Sequence, residues 1–180
     1  HGGCFRALQQ SGALDDMARR GIEQLFYFQV DNPLAQVFDP LFMGHHVLGQ
    51  SEMSTKVVDK AGPHEKVGVL VRQGGKTCLL EYSDLPDELA NAREADGRLR
   101  FRAGNIAIHM LDVGFVRRIA DGNELPVHRA DKKVPALDEQ GHLVEPTEPN
   151  AVKMEMFVFD ALPMASRSVT QVVLREDELE

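Results

Sequence analysis

Residues 25–33 read Leu25-Phe26-Tyr27-Phe28-Gln29-Val30-Asp31-Asn32-Pro33, and their reading decides the fold. The first six are aromatic or β-prone, the composition of a strand buried in an α/β sheet. The run stops at an acid, an amide and a proline, and a helix-like stretch is expected from Leu34. In open α/β sheets ligands bind beyond the carboxyl ends of the strands, which makes Asp31 a candidate ligand residue. It is also a candidate cap for the next helix, with Pro33 near the first turn. Asp31 breaks this apolar run far short of the ~18 residues of a membrane span.

Upstream, Ala7, Leu8, Leu14 and Met17 recur at helical spacing, opposed by Asp15, Asp16, Arg19 and Arg20. Gly21 reads as the helix stop. Downstream, Lys56 to Asp59 and Val67 to Val71 read as strands, and Gly74-Gly75 predicts a hairpin leading into Cys78-Leu79-Leu80. A helical, acidic pattern is expected over Leu85 to Ala95, and a strand over Ile106 to Met110. Asp112 is placed to cap a helix running through Phe115, Val116 and Ile119. Asp138 to Gly141 is a turn, Pro146 and Pro149 mark a loop, a helix is expected from Val152, and the last strand is Ser168 to Leu174. Helices and strands alternate with hairpins inserted, which is the pattern of an α/β fold with a mixed sheet.

Composition narrows the function classes. The 180 residues are 43% hydrophobic and 27% charged, a globular balance that excludes a collagen-like or disordered chain. Acids outnumber bases 28 to 20, for a net charge of −8, which argues against a general nucleic-acid binder. Cys4 and Cys78 are too few and too far apart for a disulfide scaffold, and buried free thiols in a reducing, cytoplasmic setting are expected. No secretory signal pattern appears, and no membrane partner is expected.

General motifs for phosphate loops, dinucleotide loops, zinc proteases and serine hydrolases are not found. His45 and His46 are adjacent, so on a helix they face different directions and do not share a metal. What remains is a set of glycines at Gly2 and Gly3, polar residues after apolar strands at Asp31, Glu81 and Asn105, and lysines at Lys56, Lys132, Lys133 and Lys153. Carboxylates hold Mg²⁺ and ammonium groups neutralise phosphate oxygens, so the set is compatible with phosphate chemistry. Each lysine taken singly reads equally as a solvated surface charge.

The order of short motifs is more specific. His1-Gly2-Gly3, Val30-Asp31-Asn32, Lys56-Val57-Val58, Val67-Gly68-Val69, Glu81-Tyr82-Ser83 and Ala103-Gly104-Asn105-Ile106-Ala107 follow one another along the chain. Lys153-Met154-Glu155 with Phe157-Val158-Phe159-Asp160, then Leu174-Arg175-Glu176-Asp177-Glu178, complete the series. The series resembles the UDP-N-acetylglucosamine pyrophosphorylase branch of the UDP-sugar uridylyltransferases, over essentially the whole chain.

The resemblance implies a glycosyltransferase-A-like, Rossmann-like mixed sheet flanked by helices. It implies transfer of uridylate from UTP to a sugar 1-phosphate, with Mg²⁺ as cofactor, giving UDP-sugar and pyrophosphate. By the same resemblance, Gly2 and Gly3 border the uridine, Asp31 binds the metal, and Asn32 supports its loop. Gly68, Glu81 and Asn105 meet the sugar, Phe157 and Phe159 shape the pocket for its substituent, and Lys56 and Lys153 contact phosphate. Plain core packing is the alternative for the two phenylalanines, and an edge-strand charge for Glu81.

Members of the family also carry a glycine-rich basic loop upstream of the position of His1 and a lysine after the Arg-Glu-Asp-Glu stretch. The resemblance therefore implies that residues 1–180 are the central part of one nucleotidyltransferase catalytic domain, inactive alone, with an exposed sheet edge that favours self-association. The expected sugar is N-acetylglucosamine 1-phosphate. Glucose 1-phosphate or a broad sugar range is the alternative within the class, and a non-catalytic nucleotide-sugar binding module is the alternative outside it.

Overall fold

A computed structural model describes residues 1–122 and 125–179. Two short helices come first, α1 (Cys4–Gln10) and α2 (Ala13–Arg19). The expected single N-terminal helix is thus two helices, because Gly12 between them takes a φ of +77° that ends the first ladder. Gly21, at φ +66°, stops the second as expected. Strand β1 (Gln24–Tyr27) is followed by irregular chain, then by α3 (Pro40–Leu48). The helix expected from Leu34 begins at Pro40. Asp39 is its cap, its side chain accepting from the Leu41 N–H at 2.9 Å, and Pro40 occupies the first turn. The acid-then-proline start signal was therefore sound in kind, but it is spelled by Asp39-Pro40 and not by Asp31 and Pro33.

Strands β2 (Met53–Asp59), β3 (Val69–Gln73) and β4 (Lys76–Leu80) come next, then the single-turn α4 (Asp87–Asn91), shorter than expected. The β3–β4 hairpin turns on Gly74 and Gly75, both at positive φ, the geometry a two-residue hairpin loop demands. The long strand β5 (Ala103–Asp112) feeds directly into α5 (Val113–Gly122), whose Phe115 N–H donates to Asp112 Oδ1 at 2.9 Å. An arm follows, made of β6 (His128–Lys132), the small hairpin β7 (Ala136–Leu137) and β8 (Leu143–Val144), and β9 (Ala151–Glu155). The helix expected from Val152 is instead β9, paired antiparallel with β6, and the helical character starts only with a 3-10 helix at Val158–Met164. Strand β10 (Thr170–Val172) and the turn α6 (Arg175–Glu178) follow.

The main sheet has the order β10-β2-β5-β3-β4, with β1 also on β5. Among the described residues only β10 and β2 pair in parallel in this sheet; its other pairs are antiparallel. Two clusters sandwich the sheet. Phe5, Leu14, Phe115, Val116, Ile119 and Leu162 pack helices against one face. Phe42 of α3 meets Val58, Ile106, Ile108 and Met110 on the other. Helices on both faces of a mixed sheet agree with the α/β expectation. Among the described residues no helix is long and apolar enough to cross a membrane.

Strand β5 positions the site. Along one edge it pairs with β2. Along the other edge two strands share it end to end: β1 covers His109 to Asp112, and β3 touches it at Gly104. Between them the ladder is broken at Ala107, which sits at φ +55°. The opposite edge slips register at the same level, between Thr55 and Val57.

Candidate active site

The break in β5 opens a cavity of about 330 Å³. Its wall comes from the residues around the break (Asn105, Ile106, Ala107, His109), from Gly68 ahead of β3, and from Tyr27, Gln29, Asp31 and Asn32 after β1. His1, Lys66, Val67, Phe159 and Leu179 complete it. Five expected site residues thus meet here: Asp31, Asn32, Gly68, Asn105 and Phe159.

Local chemistry explains each placement. Asn105 Oδ1 accepts from the Ala107 N–H at 3.2 Å, which supports the left-handed turn, while its own N–H donates to the Gly68 carbonyl at 2.8 Å. Gly68 is a close approach: a Cβ there would lie 2.7 Å from Leu79 Cδ2 and 3.3 Å from Glu81 Oε1. Glu81 therefore stands behind Gly68, half-buried. Burial raises its pKa above the ordinary carboxylate value, and Asp84 and Asp160 push in the same direction. Such a carboxyl group favours hydrogen bonding to a neutral hydroxyl over holding an unpaired charge.

Asp31 is exposed on the rim, and Asn32 ties its loop down. Asn32 Oδ1 accepts from the Leu34 N–H at 3.2 Å and its amide donates to the Glu178 carbonyl at 2.7 Å. Phe159 is buried, its ring stacked on Phe157 with centroids 4.8 Å apart. His128 lies 4.9 Å from the Phe157 ring and shares a hydrogen bond of 2.8 Å with Asp160.

The remaining expected residues lie elsewhere. Lys56 is fully buried, with its ammonium 2.8 Å from Asp39 Oδ2 and also donating to Glu178 Oε1. It faces two carboxylates, not the cavity, so the expected phosphate contact is replaced by a buried ion triad. Lys153 is exposed on β9, 2.8 Å from Glu155. Gly2 and Gly3 line a separate, larger cavity of about 1060 Å³ between α1 and the end of α5. A Cβ on Gly2 would come within 2.7 Å of the Met156 backbone, and its N–H donates to the Met156 carbonyl at 2.7 Å. Gly2 thus locks the start of α1 against the segment that carries Phe157 and Phe159.

Sequence reasoning missed Tyr27, His109 and Lys66. His109 is fully buried, and burial drives its pKa down to about 3, so the ring is neutral. It stacks on Tyr27, whose pKa is raised by burial and by the nearby Cys4 and Asp31. A lone histidine in an otherwise apolar run, Ile106 to Leu111, was the available signal. Lys66 places a cation on the wall of the same cavity as Asp31.

Comparison with known proteins follows the same lines. The chain matches the family model UTP--glucose-1-phosphate uridylyltransferase over residues 1–177. It is 43% identical to human "UDP-N-acetylhexosamine pyrophosphorylase-like protein 1", over 99% of this chain and 36% of that protein. It is 40% identical to the Saccharomyces cerevisiae "UDP-N-acetylglucosamine pyrophosphorylase", over 89% of this chain and 34% of that protein. The chain therefore spans about a third of the length of the curated relatives it matches. Among solved structures, it superposes with a TM-score of 0.89 and 38% identity on a putative UDP-N-acetylglucosamine pyrophosphorylase from Entamoeba histolytica, covering 99% of this chain and 44% of that one. The Trypanosoma brucei uridine diphosphate N-acetylglucosamine pyrophosphorylase matches with a TM-score of 0.79 and 29% identity, over 93% of this chain and 32% of that one. A model match across nearly the whole length, on a sheet shared with these structures, establishes that the chain belongs to the UTP--glucose-1-phosphate uridylyltransferase family.

Proposed function

We propose that this chain forms the sugar-binding and metal-binding core of a nucleotidyltransferase catalytic domain that joins UTP to N-acetylglucosamine 1-phosphate. The observation that carries this reading is the cavity at the broken β5 edge, which gathers Asp31, Asn32, Gly68, Asn105 and Phe159 from four distant segments. The names of the relatives at about 40% identity support the N-acetylated sugar.

The donor set at the rim fits Mg²⁺. Among the described residues no three His, Cys, Asp or Glu side chains gather to hold a metal. Mg²⁺ rarely needs such a cage: one or two carboxylates, waters and substrate phosphates suffice, and Asp31 supplies an exposed carboxylate. When bound, Mg²⁺ neutralises charge on the phosphate oxygens. In the transfer, an oxygen of the sugar phosphate forms a bond to the α-phosphorus of UTP, and the bond to pyrophosphate breaks. Protein groups contribute positioning and charge neutralisation. Gly68 lets the sugar approach the backbone, Glu81 and Asn105 take its hydroxyls, and Phe157 and Phe159 pack its N-acetyl group. Gly2 and Gly3, on the separate cavity beside α1, are the uridine contacts the resemblance assigns, and Lys153 is its phosphate contact; Lys66 adds a cation on the wall of the sugar cavity. The reducing, cytoplasmic setting rests on the two free cysteines. An exposed sheet edge at β10 supports self-association.

The test is pyrophosphate release by the protein that carries this chain, supplied with UTP, Mg²⁺ and either N-acetylglucosamine 1-phosphate or glucose 1-phosphate. Turnover is expected to favour the N-acetylated sugar, and Asp31→Asn is expected to lower kcat by about 10²-fold or more. A preference for glucose 1-phosphate would replace the sugar assigned here. Full activity in Asp31→Asn would overturn its metal role, and absence of pyrophosphate release in the wild type would point to a binding module instead.

A further inference from the structure

The stretch that carries Asp31, residues 28–39, belongs to no strand or helix. Its few internal bonds are turns, such as Asn32 N–H to the Gln29 carbonyl at 3.2 Å. Such a loop on the rim of a cavity needs an external anchor if its carboxylate is to hold one position. The anchor is supplied from two distant segments. Glu178 of α6 receives the Asn32 side-chain amide on its backbone carbonyl and the Gln36 N–H on Oε2 at 3.3 Å. Its other oxygen, Oε1, takes the Lys56 ammonium. Lys56, on β2, reaches the far end of the same loop through Asp39 Oδ2 at 2.8 Å. Asp39 in turn caps α3 and accepts from Gln171 Nε2 at 3.4 Å. The loop is thus held at positions 32 and 36 by Glu178 and at 39 through the buried ion triad that Glu178 shares with Lys56 and Asp39.

We propose that Lys56 and Glu178 are positioning residues, which clamp the Asp31 loop to the sheet and so set where the rim carboxylate points. The value of that position rests on the metal role proposed for Asp31; the clamp itself does not. A fully buried ammonium between two nearly buried carboxylates is expensive to break, because removing one partner strands the remaining charge. Replacing Lys56 leaves Asp39 and Glu178 facing each other as like charges. One or both must move toward water, and each carries part of the loop or its anchor. Replacing Glu178 by glutamine keeps the shape and leaves Lys56 paired with Asp39, so its effect is the smaller of the two.

The experiment compares wild type with Lys56→Met, Glu178→Gln and the charge-conserving Lys56→Arg in the protein that carries this chain. Amide hydrogen exchange is measured over residues 29–39 and, as the control, over β5. In Lys56→Met, exchange over 29–39 is expected to rise roughly tenfold or more with β5 unchanged, less in Glu178→Gln, with partial recovery in Lys56→Arg. The Mg²⁺ concentration for half-maximal turnover is expected to rise with it, while KM for the sugar phosphate stays within about twofold. Unchanged exchange over 29–39, or an equal rise in β5, overturns the clamp. Should Lys56→Met fail to fold, Glu178→Gln carries the same comparison. A loosened loop with an unaltered Mg²⁺ requirement upholds the clamp and overturns the role of Asp31.

Discussion

Acidification probes the interior of the sheet at a single side chain. His109 lies on the central strand at 1% exposure, with Nδ1 3.0 Å from Thr55 Oγ1. Among the described residues its Nε2 has no hydrogen-bond partner, and a backbone bond at Ser54, which favours the charged ring, is outweighed by burial. Burial accordingly lowers its pKa from 6.5 to about 3. Between these two values the unfolded chain binds a proton that the folded chain refuses. Stability from this ring is therefore complete above the unfolded pKa and is lost as pH falls toward the folded one. The slope is about 1.4 kcal/mol per pH unit, so moving from about pH 7.5 to about pH 5 costs about 2 kcal/mol. His46 is shifted down by burial as well, and carboxylates titrate in the same range, so wild type alone does not isolate the effect. The His109→Phe variant does. Its packing cost is the same at both pH values and cancels in the double difference. Urea unfolding at the two pH values is expected to show wild type losing about 2 kcal/mol more than the variant. A double difference under about 0.5 kcal/mol would refute the assignment of a neutral ring at this position.

Three further outcomes are expected. Asp112→Ala removes the bond to the Phe115 N–H and should destabilise the chain by about 1 kcal/mol, read as a lower Tm. Gly68→Ala forces a Cβ to within 2.7 Å of Leu79 Cδ2, the movable end of a side chain, so the fold should survive with about 1–3 kcal/mol lost. Because the same methyl group narrows the space beside Glu81, KM for the sugar phosphate should rise in that variant more than kcat falls. Glu81→Gln should stabilise the chain at neutral pH and weaken sugar binding. The carboxyl group has a raised pKa from burial and from Asp84 and Asp160, so its stabilising contribution is lost as pH rises through that value. Unfolding curves that coincide for wild type and Glu81→Gln at neutral pH would contradict this.

Features coded by adjacent residues were legible. Gly74-Gly75 dictates its hairpin, and Asp112 caps its helix, because in each case the partners are a few residues apart. The reading failed where partners are remote. Val152 and Met154 suit a helix by spacing, yet β6, more than twenty residues earlier, recruits them as a strand, and both remain largely exposed. Lys56 looks like any other lysine. Its burial depends on Asp39 and Glu178, the latter 122 residues away, and no local pattern encodes that meeting. The site was legible only through the order of eight short motifs; the seam that brings five of the expected residues together is a property of strand pairing.

That seam also bears on which parts of the site tolerate change. The cavity opens where a ladder stops and resumes along one strand. Main-chain geometry survives extensive replacement of side chains. A notch of this kind separates inheritance into two layers. One layer, the interrupted pairing, can be held fixed for the sake of folding. The other, the rim of single side chains around it, is free to drift without unravelling the sheet that supports it.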